Sequence, residues 1–167
     1  MKLWTLAVLA IAATIASCGE MKGSSDSTAT AATPTPAAAT AQSATGETEA
    51  PAPITGQTVE VKMLQDAQGN YRYDPADVTI KSGDGVKFIM VSGGSHNVAF
   101  DPALIPANAK AQLSANMPQQ VSELSSPMMM NPNETYTISF GKMPPGTYAY
   151  HCTPHLTFGM KGTITVQ

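Results

Sequence analysis

Runs of charge, cysteines and histidines are all scarce in this sequence, and each shortage closes off a class of function. From Thr58 to the C-terminus there are seven basic and eight acidic side chains, and neither sign clusters. Such a mixed surface gives no footprint for nucleic acid and little steering toward a strongly charged partner. The two cysteines, Cys18 and Cys152, permit one disulfide at most. With three histidines, His96, His151 and His155, any imidazole-based site has three candidate positions. The one long apolar run, Leu3 to Ala16, is too short for a comfortable membrane span.

What is present divides the 167 residues into two very different parts. Lys2, the apolar run and the small residues after it have the layout of a secretory signal peptide over residues 1–17. The residues "IASC" that end at Cys18 resemble the bacterial lipobox, a resemblance that implies cleavage before Cys18, acylation of its thiol and a membrane anchor. A plain signal peptide cut elsewhere is the alternative. If Cys18 carries lipid, Cys152 is the one thiol of the mature fold. A Cys18–Cys152 disulfide would instead tie a structureless tail to the domain and leave the histidine beside Cys152 idle. Residues 18–56 are mostly Ala, Thr, Ser and Pro. They have too little to bury to offset the entropy of ordering, so they read as a disordered tether with a typical span of about 35 Å.

Residues 57–167 read as one domain of about eight short strands. "QTVEVKML" alternates Val59, Val61 and Met63 with Glu60 and Lys62, and turn residues separate "YRYD", "DVTI", "GVKFIMV", "HNVAF", "ETYTISF", "GTYAYHC" and "GTITV". The pattern predicts an all-β, antiparallel Greek-key sandwich. Residues 102–131 break it and read as a long crossover between sheets, with a helical turn or two over Ala107–Ala115. Met128, Met129 and Met130 lie in this crossover, either as flexible filler or as soft thioether donors of the kind that hold Cu(I).

Chemistry concentrates in "YHCTPHLTFGMKG". Strand alternation through "GTYAYHC" points Tyr148, Tyr150 and Cys152 one way and Ala149 and His151 the other. That removes His151 from the candidate set and leaves it as a solvated surface group. His96 opens "HNVAF", and a strand end in a sandwich can meet a loop from the opposite sheet. His96, Cys152, His155 and Met160 can therefore converge. Zinc seldom takes a thioether, and hard cations want oxygen. Two imidazoles, one thiolate and one weak axial sulfur suit one copper ion cycling between Cu(I) and Cu(II).

From about residue 57 the chain resembles the plastocyanin/azurin family of cupredoxins. "GTYAYHCTPHLTFGMKGTITV" carries the Cys-x2-His-x4-Met spacing, nearer plastocyanin than azurin, "GSHNVAFD" matches the upstream histidine motif, and "DVTIKSGDGVKF" matches the strand before it. The resemblance implies His96, Cys152 and His155 as in-plane ligands, Met160 as the axial ligand, and Asn97 as a brace between the ligand loops. It also implies that His155 reaches solvent through an apolar docking patch, for which Pro154, Leu156 and Phe158 are the candidates, with Gly93 or Gly94 near His96. His151 stands where relatives commonly carry an aromatic residue used in docking, and the acidic patches of plant members are missing.

Rival functions fit less of the sequence. A thiol enzyme using Cys152 and His155 gives His96 and Met160 no role. A separate catalytic copper needs more imidazoles than His151 can add, and a binuclear centre needs a second nearby cysteine. An extracytoplasmic copper chaperone or storage protein rests on the methionine triplet alone. The expectation is a monomeric, lipid-anchored, extracytoplasmic carrier of single electrons between redox proteins, and not an enzyme.

Overall fold

Val61 and Met63 are fully enclosed while Glu60 and Lys62 face solvent, so the first strand buries one side. The structure is a computed structural model that describes residues 49–167. The expected signal peptide, Cys18 and the tether up to residue 48 lie outside the described residues. In chain order the strands are β1 (Thr58–Gln65), β2 (Tyr71–Asp74), β3 (Asp77–Ile80), β4 (Gly85–Met90) and β5 (Ala99–Phe100). Helix α1 (Ala107–Asn116) follows, then β6 (Thr135–Ser139), β7 (Gly146–His151) and β8 (Lys161–Val166).

They form two four-stranded sheets, β2-β1-β4-β6 and β3-β8-β7-β5. The sandwich and its eight strands agree with the sequence pattern, but the ladders are not all antiparallel. β1 runs parallel to β4, and β3 runs parallel to β8. Pro75, which has no N–H for a ladder, separates β2 from β3, and the two strands belong to different sheets. The chain keeps its direction there while changing sheet. β4 then returns along β1 in the sense of β1, after an excursion through the other sheet.

The crossover expected over residues 102–131 joins β5 of one sheet to β6 of the other. Its helix is longer than two turns because Ala109, Gln112, Leu113 and Asn116 recur at helical spacing and all are buried. The floor beneath the far end of β7 is aromatic. Tyr150 meets Tyr73 and Phe88 edge-on with ring centroids 4.7 and 5.4 Å apart. Such pairs add about 0.5–1.5 kcal/mol each beyond the area they bury.

Among the described residues, packing begins ahead of residue 57, at Ala50. Gln112 Nε2 donates to the Ala50 carbonyl at 3.1 Å, and the Ala52 N–H donates to Asn116 Oδ1 at 2.8 Å. The N–H groups of Thr55 and Gly56 both donate to the Gly83 carbonyl at 2.9 Å. Gly141 permits this approach, since a Cβ there would lie 2.8 Å from the Cβ of Ala52. Composition hides such a strap because its main chain is held by side chains of a distant helix, and Ala52 is the one side chain of its own that is buried. It lies at the end of the sandwich where β1 and β4 begin. The histidine and cysteine constellation lies at the opposite end.

Candidate metal centre

His96 reaches its place through a loop that only glycine permits. Gly93 and Gly94 have φ of 96° and 87°, and a Cβ on Gly93 would lie 2.7 Å from the Cβ of Gln65. The loop returns the Ser92 carbonyl to within 2.8 Å of His96 Nε2. A carbonyl only accepts, so Nε2 carries the proton and the Nδ1 lone pair faces inward, 3.6 Å from Cys152 Sγ. Residues 96 and 129 also form an antiparallel bridge, with His96 N–H donating to the Met129 carbonyl at 3.0 Å and Met129 N–H returning the bond at 2.8 Å.

Cys152 sits just past β7, with its side chain on the buried side together with Tyr148 and Tyr150. A 3₁₀ helix, Thr153–Phe158, then brings His155 Nδ1 to 3.4 Å from Cys152 Sγ. Gly159, at φ 83°, ends that helix and turns the chain to Met160. Main-chain bonds close the loop: Cys152 N–H donates to the Met160 carbonyl at 3.1 Å, and Met160 N–H donates to the His155 carbonyl at 3.2 Å. Cys152 and Met160 are fully buried, as is His96. The potential ligand atoms of His96, Cys152 and His155 all lie within 4.8 Å of one another.

Asn97 ties the two loops together. Its Oδ1 accepts the Thr153 N–H at 2.7 Å, and its Nδ2 donates to Ser125 Oγ and Thr153 Oγ1 at 3.1 Å each. Its carbonyl accepts the Tyr73 hydroxyl at 2.7 Å. Tyr73, Ser125 and Thr153 are thus the partners through which Asn97 links these segments.

The expectation that His155 reaches solvent is not met. Its ring is stacked under Tyr71 at 3.7 Å between centroids and 8° between planes, and the residue is only 9% exposed. The Asp66–Asn70 turn places Tyr71 at the rim: Asp66 Oδ1 accepts the N–H groups of Gln68 and Asn70. Pro154 is exposed, as are Leu156 and Phe158, the last 68% so. Phe158 lies 5.5 Å from Tyr71 between centroids. Sequence reasoning missed Tyr71, although the alternation of Tyr71 and Tyr73 in β2 was a visible signal that both face inward. His151 points away, as alternation requires, into an open groove of about 570 Å³ shared with Asp77, Asp101 and Lys161.

Burial is the main cause of every pKa displacement in the cluster. It pushes the Cys152 thiol up, and the N–H groups of Asn97 and His155 draw it only partly back. It holds His96 and His155 below the ordinary histidine range, with the nearby His96 ring a further cause for His155. A depressed histidine favours the folded state while it stays neutral. That contribution is complete above the ordinary value of 6.5 and is lost as pH falls through the folded-state values. Urea midpoints of the metal-free chain are therefore expected to drop as pH is lowered below 6.5, before the carboxylates titrate. A flat profile there would show that the rings titrate normally.

The donor set decides what fits. A thiol and two imidazoles, buried together and joined by no carboxylate among the described residues, match a soft or borderline metal and not a hard one. Copper fits, since the neighbouring Met160 loop adds a soft thioether that zinc usually avoids.

A family model described as copper binding proteins, plastocyanin/azurin family, matches residues 59–167. A plastocyanin of Prochlorothrix hollandica is 37% identical over 116 residues, covering 70% of this chain and 78% of its own. One from Scenedesmus fuscus is 39% identical over 110 residues, covering 65% of this chain and 99% of its own. Among solved structures, a mutant plastocyanin of fern superposes with a TM-score of 0.50 at 28% identity, covering 65% of this chain and 100% of that one.

Proposed function

The chain belongs to the plastocyanin/azurin family of copper-binding proteins, and from that premise we propose that His96, Cys152 and His155, together with Met160, would hold its single copper. The protein is a blue-copper one-electron carrier and not itself an enzyme. Bound copper supplies the couple between Cu(II) and Cu(I). The residues do the rest. Cys152 would give up its proton to become the soft anionic donor, the Ser92 carbonyl fixes which nitrogen of His96 is free, and Asn97 holds the two ligand loops in register. A frame in which each loop is bonded to the other has little to rearrange when the charge changes by one. The observation that carries this reading is the approach of two imidazole nitrogens to one buried sulfur, at 3.6 and 3.4 Å.

The test is a titration of the full chain with Cu(II), followed by reduction with ascorbate. An intense visible thiolate-to-copper band should saturate at one copper per chain and bleach on reduction. Absence of the band, with copper instead retained as Cu(I), would favour a copper chaperone or store.

Docking is assigned to the apolar rim of Pro154, Leu156 and Phe158, to which Tyr71 belongs by its stacking on His155. With His155 covered, a redox partner meets Tyr71 and Phe158 first. Phe158→Ala is expected to slow electron self-exchange without moving the visible band, and an unchanged exchange rate would remove Phe158 from the path. Anchoring through acylated Cys18 on the extracytoplasmic side, as a monomer, rests on the "IASC" signature and the composition of the residues after it. The intact mass of the mature chain tests the anchor: a terminus other than acylated Cys18 sinks it.

A further inference from the structure

We propose that Met128 and Met130 form a transient surface site for monovalent copper, through which the ion enters the buried ligand cluster. The idea rests on the copper site assigned above. Its starting point is access: His96, Cys152 and Met160 are fully buried and His155 is nearly so. An arriving ion must first be met by donors at the surface. Of the eight methionines among the described residues, six are buried, while Met128 and Met130 are 45% and 66% exposed.

Their placement follows from the backbone. Met129, between them, is buried at 5% exposure and exchanges two main-chain hydrogen bonds with His96. Alternation in that bridge sends Met128 and Met130 to the opposite, solvent side, about 6.6 Å apart along the chain. The pair therefore lies on the chain segment directly bonded to the first ligand. Glu134 holds the segment in shape, its carboxylate accepting the N–H groups of Met130 and Asn131. A gap-filling role suits Met129 but not its neighbours, which have no gap to fill.

The chemistry selects the ion. Uncharged thioethers are soft donors, so they favour Cu(I) over zinc and over hard cations. Two thioethers without a thiolate bind weakly enough to release. In the transfer, the bonds from Cu(I) to the two thioether sulfurs break, and bonds to Cys152 Sγ and the imidazole nitrogens form. The Cys152 thiol loses its proton to solvent, and no electron moves.

The test uses the full chain without metal. In a Cys152→Ser chain with methyl-labelled methionine, Ag(I) serves as a soft, redox-inert probe. The Met128 and Met130 methyl resonances should shift together and saturate at one ion, while Met63 and Met90 stay still. In the native-cysteine background, Met128→Leu/Met130→Leu should reach the same visible band at saturation. It should take up Cu(I) from a chelator about tenfold more slowly, equivalent to about 1.4 kcal/mol of lost encounter binding. Unmoved methyl signals, or an unchanged uptake rate, overturn the proposal. Failure of the unsubstituted chain to form any visible band with Cu(II) would instead count against the electron-carrier site.

Discussion

Replacing Cys152 by serine is expected to abolish the visible charge-transfer band and electron exchange while leaving the sandwich folded. A hydroxyl is smaller than a thiol and leaves no clash, and a serine at this position can donate to His155 Nδ1, which lies 3.4 Å from the present sulfur. The stability change should therefore stay near 1 kcal/mol, the net worth of a typical hydrogen bond. The electronic change is much larger. Burial already disfavours the Cys152 thiolate, so in the metal-free chain the sulfur keeps its proton. A bound metal cation reverses that balance, because coordination deprotonates a thiol outright. Serine cannot follow, since its hydroxyl is far less acidic and its oxygen is a harder donor. Copper affinity should fall by more than the roughly 10–100-fold that loss of an outer partner produces. Visible absorption of the copper-saturated variant, with circular dichroism as the check on folding, decides the matter. A persisting intense band would mean that another group supplies the charge transfer and that Cys152 is not a ligand.

The ligand loop was legible because its information is local. Cys152, His155 and Met160 lie within nine residues, and period-two alternation through β7 alone sends Cys152 inward and His151 outward. His96 was legible through its motif and the shortage of other histidines. What stayed hidden depends on pairing between distant segments. Tyr71 covers His155 only because β2 lies beside the ligand loop, and nothing in "YRYD" names its neighbour. Ser125 and Thr153 meet at Asn97 from separations of 28 and 56 residues. The parallel ladders accompany a change of sheet at Pro75, where local strand propensity is the same on both sides. The strap of residues 50–56 escaped because Ala, Pro and Thr look like tether until Gln112 and Asn116 are brought over them.

Asn97→Ala is expected to loosen both ligand loops at once, and its effect should exceed that of an ordinary buried polar substitution. Three side-chain bonds go with the amide, and the Thr153 N–H loses its acceptor at the very start of the helix that carries His155. Leaving a buried donor unmatched costs about 1–3 kcal/mol, and the two hydroxyls partnered by Nδ2 add to that, so the loss of stability should reach roughly 3 kcal/mol. A purely structural role would stop there. A brace between His96 and Cys152 must also weaken the metal site, by about the 10–100-fold that outer partners of metal ligands typically contribute. The two consequences are measured separately, through denaturant midpoints of the metal-free chain and competition for Cu(I) against a chelator. Asn97→Asp sharpens the comparison. It keeps the acceptor for Thr153 N–H but loses the donor to Ser125 and Thr153 Oγ1, and it places a carboxylate at a buried position. If the acceptor is what positions His155, Asp should retain more copper affinity than Ala despite its buried charge. If Ala lowers stability and leaves affinity untouched, Asn97 holds the sandwich together and the ligand loops keep their geometry without it.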